Sequence, residues 1–155
     1  MKIRFANIMD IEKILYLEEQ LFQIHVKARP DWISKNSNNY ETIKNIIEGN
    51  SGKIFVAEDD KYGIIGHCII FINDKKNNKI YHDMINVEID VLCIDENFRR
   101  KGIGKKLVEE VKIYAKSIDA NFIEVFVWDF NQNAKIFYEN LGMKTRISKM
   151  ELKVK

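Results

Sequence analysis

The segment from Val87 to Val108 constrains the fold most, because it predicts a strand, a short basic loop and then a helix. The loop is Arg99-Arg100-Lys101-Gly102-Ile103-Gly104, followed by Lys105. Backbone N–H groups, the positive end of a helix dipole and cationic side chains together bind phosphate groups well. The sequence therefore predicts a pyrophosphate-binding loop at the start of this helix.

The hydrophobic periodicity of the remaining chain predicts an alternation of strands and helices around one sheet. A helix is expected to begin at Asn7 or Asp10 and to run to about Gln23. The other predicted elements are strands at Ile3–Phe5, Lys53–Glu58, Ile64–Ile72, Phe122–Trp128 and Thr145–Val154 and helices at Tyr40–Glu48, Gly102–Ser117 and Asn131–Asn140. We expect an α/β fold with helices covering a central mixed sheet.

Length and composition limit the classes of protein to consider. A chain of 155 residues is typical of one domain, expected to span residues 1–155, and its net charge of +2 argues against nucleic-acid or membrane partners. Cys68 and Cys93 have no C-x-x-C spacing, so we expect no disulfide and a reducing, cytoplasmic location. The three histidines, His25, His67 and His82, lack metal-ligand spacing, so no metal site is predicted.

The glycines of the basic loop fit neither of two common phosphate loops. A Rossmann fingerprint requires G-x-G-x-x-G after the first strand, whereas Gly102 and Gly104 are the only two glycines here and come late. A P-loop requires G-x-x-x-x-G-K-[ST], and Gly104-Lys105-Lys106 lacks the first glycine and the hydroxyl. The loop residues alone leave open a solvated basic loop that binds nothing.

A second motif, Asn131-x-x-Ala134-x-x-Phe137-Tyr138-x-x-Leu141-Gly142-Met143, lies one strand after the basic helix. Together with Arg-x-x-Gly-x-Gly at Arg99–Gly104, it resembles the two signatures of the GNAT family of N-acetyltransferases. One departure is Met143, where phenylalanine is usual. The resemblance covers nearly the whole chain in element order and is motif-specific over about residues 87–143.

The resemblance implies a GNAT fold: a mixed, mostly antiparallel sheet of six to seven strands, flanked by about four helices and splayed at an acetyl-CoA cleft. Acetyl-CoA would be the co-substrate, without a metal. Its pantetheine arm would bond the backbone of Leu92, Cys93 and Ile94 and the side chain of Asn131. Its pyrophosphate would lie on the residues of the basic loop, namely Arg99, Arg100, Lys101, Gly102, Ile103, Gly104 and Lys105.

Acyl transfer to an amine requires a group that accepts the amine proton and a group that protonates the leaving thiolate. Glu88 is the candidate base, with Asp90 or a water chain as alternatives, and strand alternation predicts residues 88, 90, 92 and 94 on one face. By resemblance, Tyr138 would be the acid. Cys93 is interpreted as a small buried side chain and not as a nucleophile.

The acceptor is the least constrained part of the prediction. By resemblance, the first two helices and their link would form the acceptor pocket, in which Phe22, His25, Arg29 and Trp32 are candidates beside Glu88 and Asp90. Carboxylates and aromatic rings favour a small cationic amine. The alternatives are a peptide N-terminus or lysine, and a non-catalytic acyl-CoA sensor. The segment from Thr145 to Lys155 is a candidate dimer interface.

Overall fold

A five-stranded sheet in the order β1-β2-β3-β4-β5 organises the computed structural model, which describes residues 1–33, 39–49, 51–77, 79–80 and 82–154. The first four strands pair antiparallel, and β5 is parallel to β4. Parts of the predicted link (residues 34–38) and hairpin loop (residue 78), and residue 155, lie outside the described residues. The strands are β1 Lys2–Phe5, β2 Gly52–Asp59, β3 Gly63–Asp74, β4 Ile85–Ile94 and β5 Phe122–Val125.

Four helices cover the two faces of the sheet: α1 Ile11–Ala28, α2 Tyr40–Glu48, α3 Ile103–Ser117 and α4 Gln132–Asn140. Asn7 caps a short 3-10 turn with a capping box to Asp10, and α1 follows directly. One core lies under α1 and α2, and it includes Leu17, Ile43 and Cys93. The other lies under α3 and α4, and Leu107 and Tyr138 belong to it. The predicted α/β architecture is confirmed, with five strands where six to seven were expected.

Strand β4 bulges at Asp90, where the ladder with β5 also ends. Ile69 pairs with Val91 and Ile70 pairs with Ile89, so Asp90 is an extra residue without a partner in β3. The last β4–β5 pair is Ile89 with Val125. A bulge bends its strand and increases its twist, and the ladder with β5 does not continue beyond it, in the region where the resemblance predicts a splayed sheet.

The bulge also corrects the predicted alternation of residues 88, 90, 92 and 94. Val87, Ile89, Leu92 and Ile94 all pack into the core under α3. Cys93 packs under α1, and Glu88 pairs in register with Phe71, which packs under α1 as well. Successive side chains of a strand point to opposite faces of the sheet. One extra residue shifts this alternation, so Glu88 lies on the face opposite to Leu92 and Ile94.

The predicted final strand, Thr145–Val154, was wrong. Residues 143–154 form no helix or ladder, and the apolar side chains of Ile147 and Leu152 are 73% and 87% exposed. Two ion pairs hold the segment: Arg146 with Glu124 of β5 at 3.1 Å, and Glu151 with Arg29 at 2.7 Å. Strand alternation had no way to indicate these long-range contacts. Likewise, the strand predicted at Phe122–Trp128 ends at Val125, where the ladder opens.

Candidate active site

The basic loop presents a row of backbone N–H groups at the start of α3. Arg100 and Gly102 have positive φ angles of 61° and 79°, and Gly102 is the N-cap residue. The first bond of α3 runs from the Lys106 N–H to the Gly102 carbonyl, at 3.1 Å. The N–H groups of Ile103, Gly104 and Lys105 therefore precede the helical ladder and are available to an anion.

Arg99 and Lys101 are held by backbone carbonyls beside this row. The Arg99 Nε donates to the Ile94 carbonyl at 3.0 Å, which ties the guanidinium to the end of β4. The Lys101 Nζ donates to the Asn97 carbonyl at 3.1 Å. Both side chains are exposed, as are Arg100 and Lys105, so the structure brings the predicted cations together at one surface.

Gly104 lies against the ring of Phe137 in α4. A Cβ at this position would lie 3.3 Å from Cζ of Phe137, which is closer than ordinary van der Waals contact. The contact joins α3 to α4 and therefore brings the two predicted motifs together.

Tyr138 lies in the core under α3 and is 7% exposed. Burial, with a smaller effect from Cys68, raises the pKa of its phenol above the ordinary value. The phenol therefore remains protonated at neutral pH. Asn131 caps α4, because its Oδ1 accepts from the Ala134 N–H at 3.1 Å. Its Nδ2 and the second lone pair of Oδ1 are the groups that the predicted contact with a pantetheine arm would use.

Glu88 and Asp90 lie at the bulge with different surroundings. The Glu88 Oε2 accepts from the Asn73 Nδ2 at 3.0 Å. Partial burial raises the pKa of Asp90, and the negative charges of Glu88 and Glu18 add to this effect. Asp90 nevertheless keeps access to solvent. These carboxylates give the α1 face of the splayed strand a negative potential that attracts a cation.

Cys93 behaves as a buried structural side chain. Its Sγ donates to the Leu17 carbonyl at 3.0 Å. Burial raises the pKa of the thiol to about 12, although Arg99 lowers it slightly. A protonated thiol in this setting is a poor nucleophile.

Sequence reasoning missed two polar residues on this face. His67 is fully buried and neither of its ring nitrogens has a hydrogen-bond partner. Its Nε2 lies 3.8 Å from Oε1 of Glu18 in α1. A histidine inside the apolar run Ile64–Ile72 was a signal of a buried polar group, but the run could not indicate what faces it.

The candidate acceptor residues meet an aromatic cluster formed after β5. His25 packs edge-on to Phe130 with ring centroids 5.5 Å apart, and Trp32 packs edge-on to Trp128 at 6.0 Å. The Arg29 guanidinium lies 5.4 Å from the Trp128 ring. Phe22 is partly buried in α1. A groove of about 650 Å³ adjoins the cluster, lined by Arg29, Asp31, Trp32, Glu151, Leu152 and Lys153.

Two classes of feature are absent from the described part of the chain. No three His, Cys, Asp or Glu side chains are grouped so that they could hold a metal ion. No helix within the described ranges is both long and apolar enough to cross a bilayer.

A model of the acetyltransferase (GNAT) family matches residues 16–143. A tetramutant of the BH1408 protein from Bacillus halodurans is 31% identical and superposes with a TM-score of 0.95, over 99% of this chain and 100% of that one. A glucosamine-6-phosphate N-acetyltransferase from Arabidopsis thaliana, 24% identical, has a TM-score of 0.73 over 99% and 98% of the two chains. An aminoglycoside N-acetyltransferase in complex with CoA, 16% identical, has a TM-score of 0.75 over 99% of each chain.

An uncharacterized N-acetyltransferase of Lactobacillus delbrueckii subsp. lactis is 28% identical over 85 residues. This match covers 55% of the present chain and 47% of the relative. The matched part is thus about half the length of that relative.

The raised pKa of both thiols predicts that neither reacts in the folded protein. Burial raises the pKa of Cys68 and of Cys93 to about 12, so almost no thiolate forms at pH 8. We expect a thiol-specific disulfide reagent to modify both cysteines in denaturant and neither in the native protein within minutes. Rapid native modification of one thiol, located by peptide mass spectrometry, would contradict the assigned burial.

Proposed function

The chain belongs to the acetyltransferase (GNAT) family, and we propose that it transfers an acetyl group from acetyl-CoA to a primary amine of a small cationic metabolite. Transfer would be direct, in a ternary complex, and performed by one domain. The observation that carries the proposal is the splayed end of the β4–β5 ladder, which begins at Asp90 and leads to the N–H row of α3.

The residues around the loop fit the charge and shape of coenzyme A. Free N–H groups at Ile103, Gly104 and Lys105 would bind the pyrophosphate, with Arg99 and Arg100 beside it. The edge of β4 at Leu92, Cys93 and Ile94 has no β5 partner and would bond the pantetheine arm, with Asn131 on the other side. When bound, acetyl-CoA supplies a thioester activated for acyl transfer.

In the proposed mechanism, the two proton transfers take place on opposite faces of β4. On the α1 face, Glu88 would accept the proton of the attacking amine, with Asp90 or water as the alternative acceptors. On the α3 face, Tyr138 would donate its proton to the departing thiolate. Backbone N–H groups near Cys93 and Ile94 would stabilise negative charge on the thioester oxygen. The splay connects the two faces, which supports a ternary complex.

The acceptor class follows from charge. Negative groups at Glu88 and Asp90 favour an amine that arrives protonated. Two structural neighbours, an aminoglycoside N-acetyltransferase and a glucosamine-6-phosphate N-acetyltransferase, are named for small amine-bearing molecules. The same carboxylates would also accept a lysine side chain of a peptide. We further propose a reducing cytoplasmic setting, because Cys68 and Cys93 are free thiols.

A panel of amines distinguishes these possibilities. CoA release from acetyl-CoA would be measured with polyamines, amino acids, aminoglycosides, amino sugars and lysine-containing peptides. We expect release that depends on a small cationic amine. Release only with peptides would replace the small-molecule proposal, and acetyl-CoA binding without acceptor-dependent release would favour a sensor.

Tyr138→Phe is expected to lose most of the turnover, about 100-fold or more if the phenol is the general acid. The affinity for acetyl-CoA should change by less than about two-fold, since only the hydroxyl is removed. Tyr114→Phe is the matched control, because Tyr114 also borders the core under α3 and has no assigned role. Equal turnover of the two variants, measured at saturating substrates, would exclude the acid role.

We also propose a homodimer that uses the exposed segment 145–154. Ile147, Met150 and Leu152 are each more than 70% exposed, and the outer edge of β5 has no strand partner among the described residues. Sedimentation should give twice the chain mass for the wild type and the chain mass for Leu152→Glu. Ile80→Glu, at an equally exposed apolar residue outside this segment, should remain dimeric, and a monomeric wild type would refute the proposal.

A further inference from the structure

Glu18 and His67 face each other between α1 and β3, and the proton transfers proposed above use neither. His67 is 0% exposed, and both of its ring nitrogens lack a hydrogen-bond partner. The 3.8 Å between its Nε2 and the Glu18 Oε1 is too long for a hydrogen bond. Buried polar groups in folded proteins are normally hydrogen-bonded, so the imidazole of His67 requires a bonding partner that the surrounding side chains do not provide.

Neighbouring contacts hold the pair over the second half of β4. His67 lies directly opposite Cys93 in the ladder between β3 and β4. The Cys93 Sγ donates to the carbonyl of Leu17, the residue before Glu18. The first turns of α1 are therefore anchored on the strand that the bulge splays open, and Glu18 is placed beside it.

Negative charge accumulates at this point without a balancing side chain. Glu18 and Glu88 both act on Asp90, whose carboxyl burial already disfavours as an anion. Within the described part of the chain, no lysine or arginine lies within ion-pair distance of Glu18 or Asp90. Lys13, a nearby cation on α1, pairs with Asp95 at 3.7 Å. The other Glu18 oxygen is 3.4 Å from the Asn39 amide nitrogen.

We infer that Glu18 and His67 form the site that binds the ammonium group of the acceptor. An ammonium group has three N–H donors and no acceptor, and these residues offer a carboxylate and an imidazole nitrogen 3.8 Å apart. The acceptor is accordingly a primary alkylammonium, rather than a neutral or anionic amine. This inference rests on the proposed transferase function, in which Glu88, held by Asn73, is left to accept the proton.

The test measures amine binding separately from catalysis. Binding of n-butylamine and of spermidine to the full chain, saturated with CoA, would be followed by calorimetry. Glu18→Gln keeps the size of the side chain and removes its charge, so we expect amine affinity to fall about 10-fold or more. The affinity for CoA should stay within about two-fold, because the phosphate loop is untouched.

Glu19→Gln is the matched control, since the next residue on α1 is exposed and bonds only to Gln23 among the described residues. Its amine affinity should equal that of the wild type. In active protein, Glu18→Gln should raise the KM for the amine and leave kcat nearly unchanged. This is the pattern of a lost binding contact, and a merely structural defect would not produce it.

His67 is tested by two substitutions that differ in hydrogen bonding. His67→Gln keeps an acceptor and should retain more amine affinity than His67→Leu, with both folded proteins binding CoA normally. Equal amine binding by Glu18→Gln and Glu19→Gln, or no binding by the CoA-saturated wild type, would overturn the inference. Glu18-dependent amine binding without acetyl transfer would refute the transferase function and leave the ammonium site in place.

Discussion

The extra residue at Asp90 is the constraint on which the rest of the structure depends. It lies immediately after the last residue pair that joins β4 to β5. The ladder therefore ends at the residue where the alternation of β4 side chains between the two faces of the sheet shifts by one. Leu92, Cys93 and Ile94 therefore have no partner in β5. A regular strand would have continued the parallel ladder and closed the proposed cleft.

Because of the bulge at Asp90, the polar side chains lie on opposite faces of the sheet. Tyr138 remains on the side of α3 and α4, whereas Glu88, His67 and Cys93 face α1. In the proposed mechanism, the amine would therefore lie on the α1 side of β4 and the leaving thiolate on the α3 side.

Sequence reasoning succeeded where the signal was local. The helix Tyr40–Glu48 was predicted at its observed bounds, and α3 begins directly after Gly102, because periodicity and glycine mark such elements within a few residues. The family resemblance was confirmed. The bulge was not predictable, because one extra residue leaves the local composition of β4 unchanged and only pairing with β3 defines it.

The remaining differences have the same origin in long-range contacts. Alternating apolar residues between Thr145 and Val154 are typical of a strand, but ladder formation also requires backbone pairing with a neighbouring edge, which this segment does not make. Glu18 and His67 lie close together in the fold but are far apart in the sequence. Neither residue belongs to a motif, so only the packing of α1 on β3 could bring them to notice.

The contact between Gly104 and Phe137 has a consequence for how chains of this kind can vary. The first residue belongs to the phosphate loop and the second precedes Tyr138, so a single steric contact connects donor anchoring with the proposed acid. A larger residue at position 104 would crowd this ring, and a smaller residue at position 137 would relieve the crowding. Among relatives, the two positions should therefore change together, and their covariation would record this contact in sequences alone.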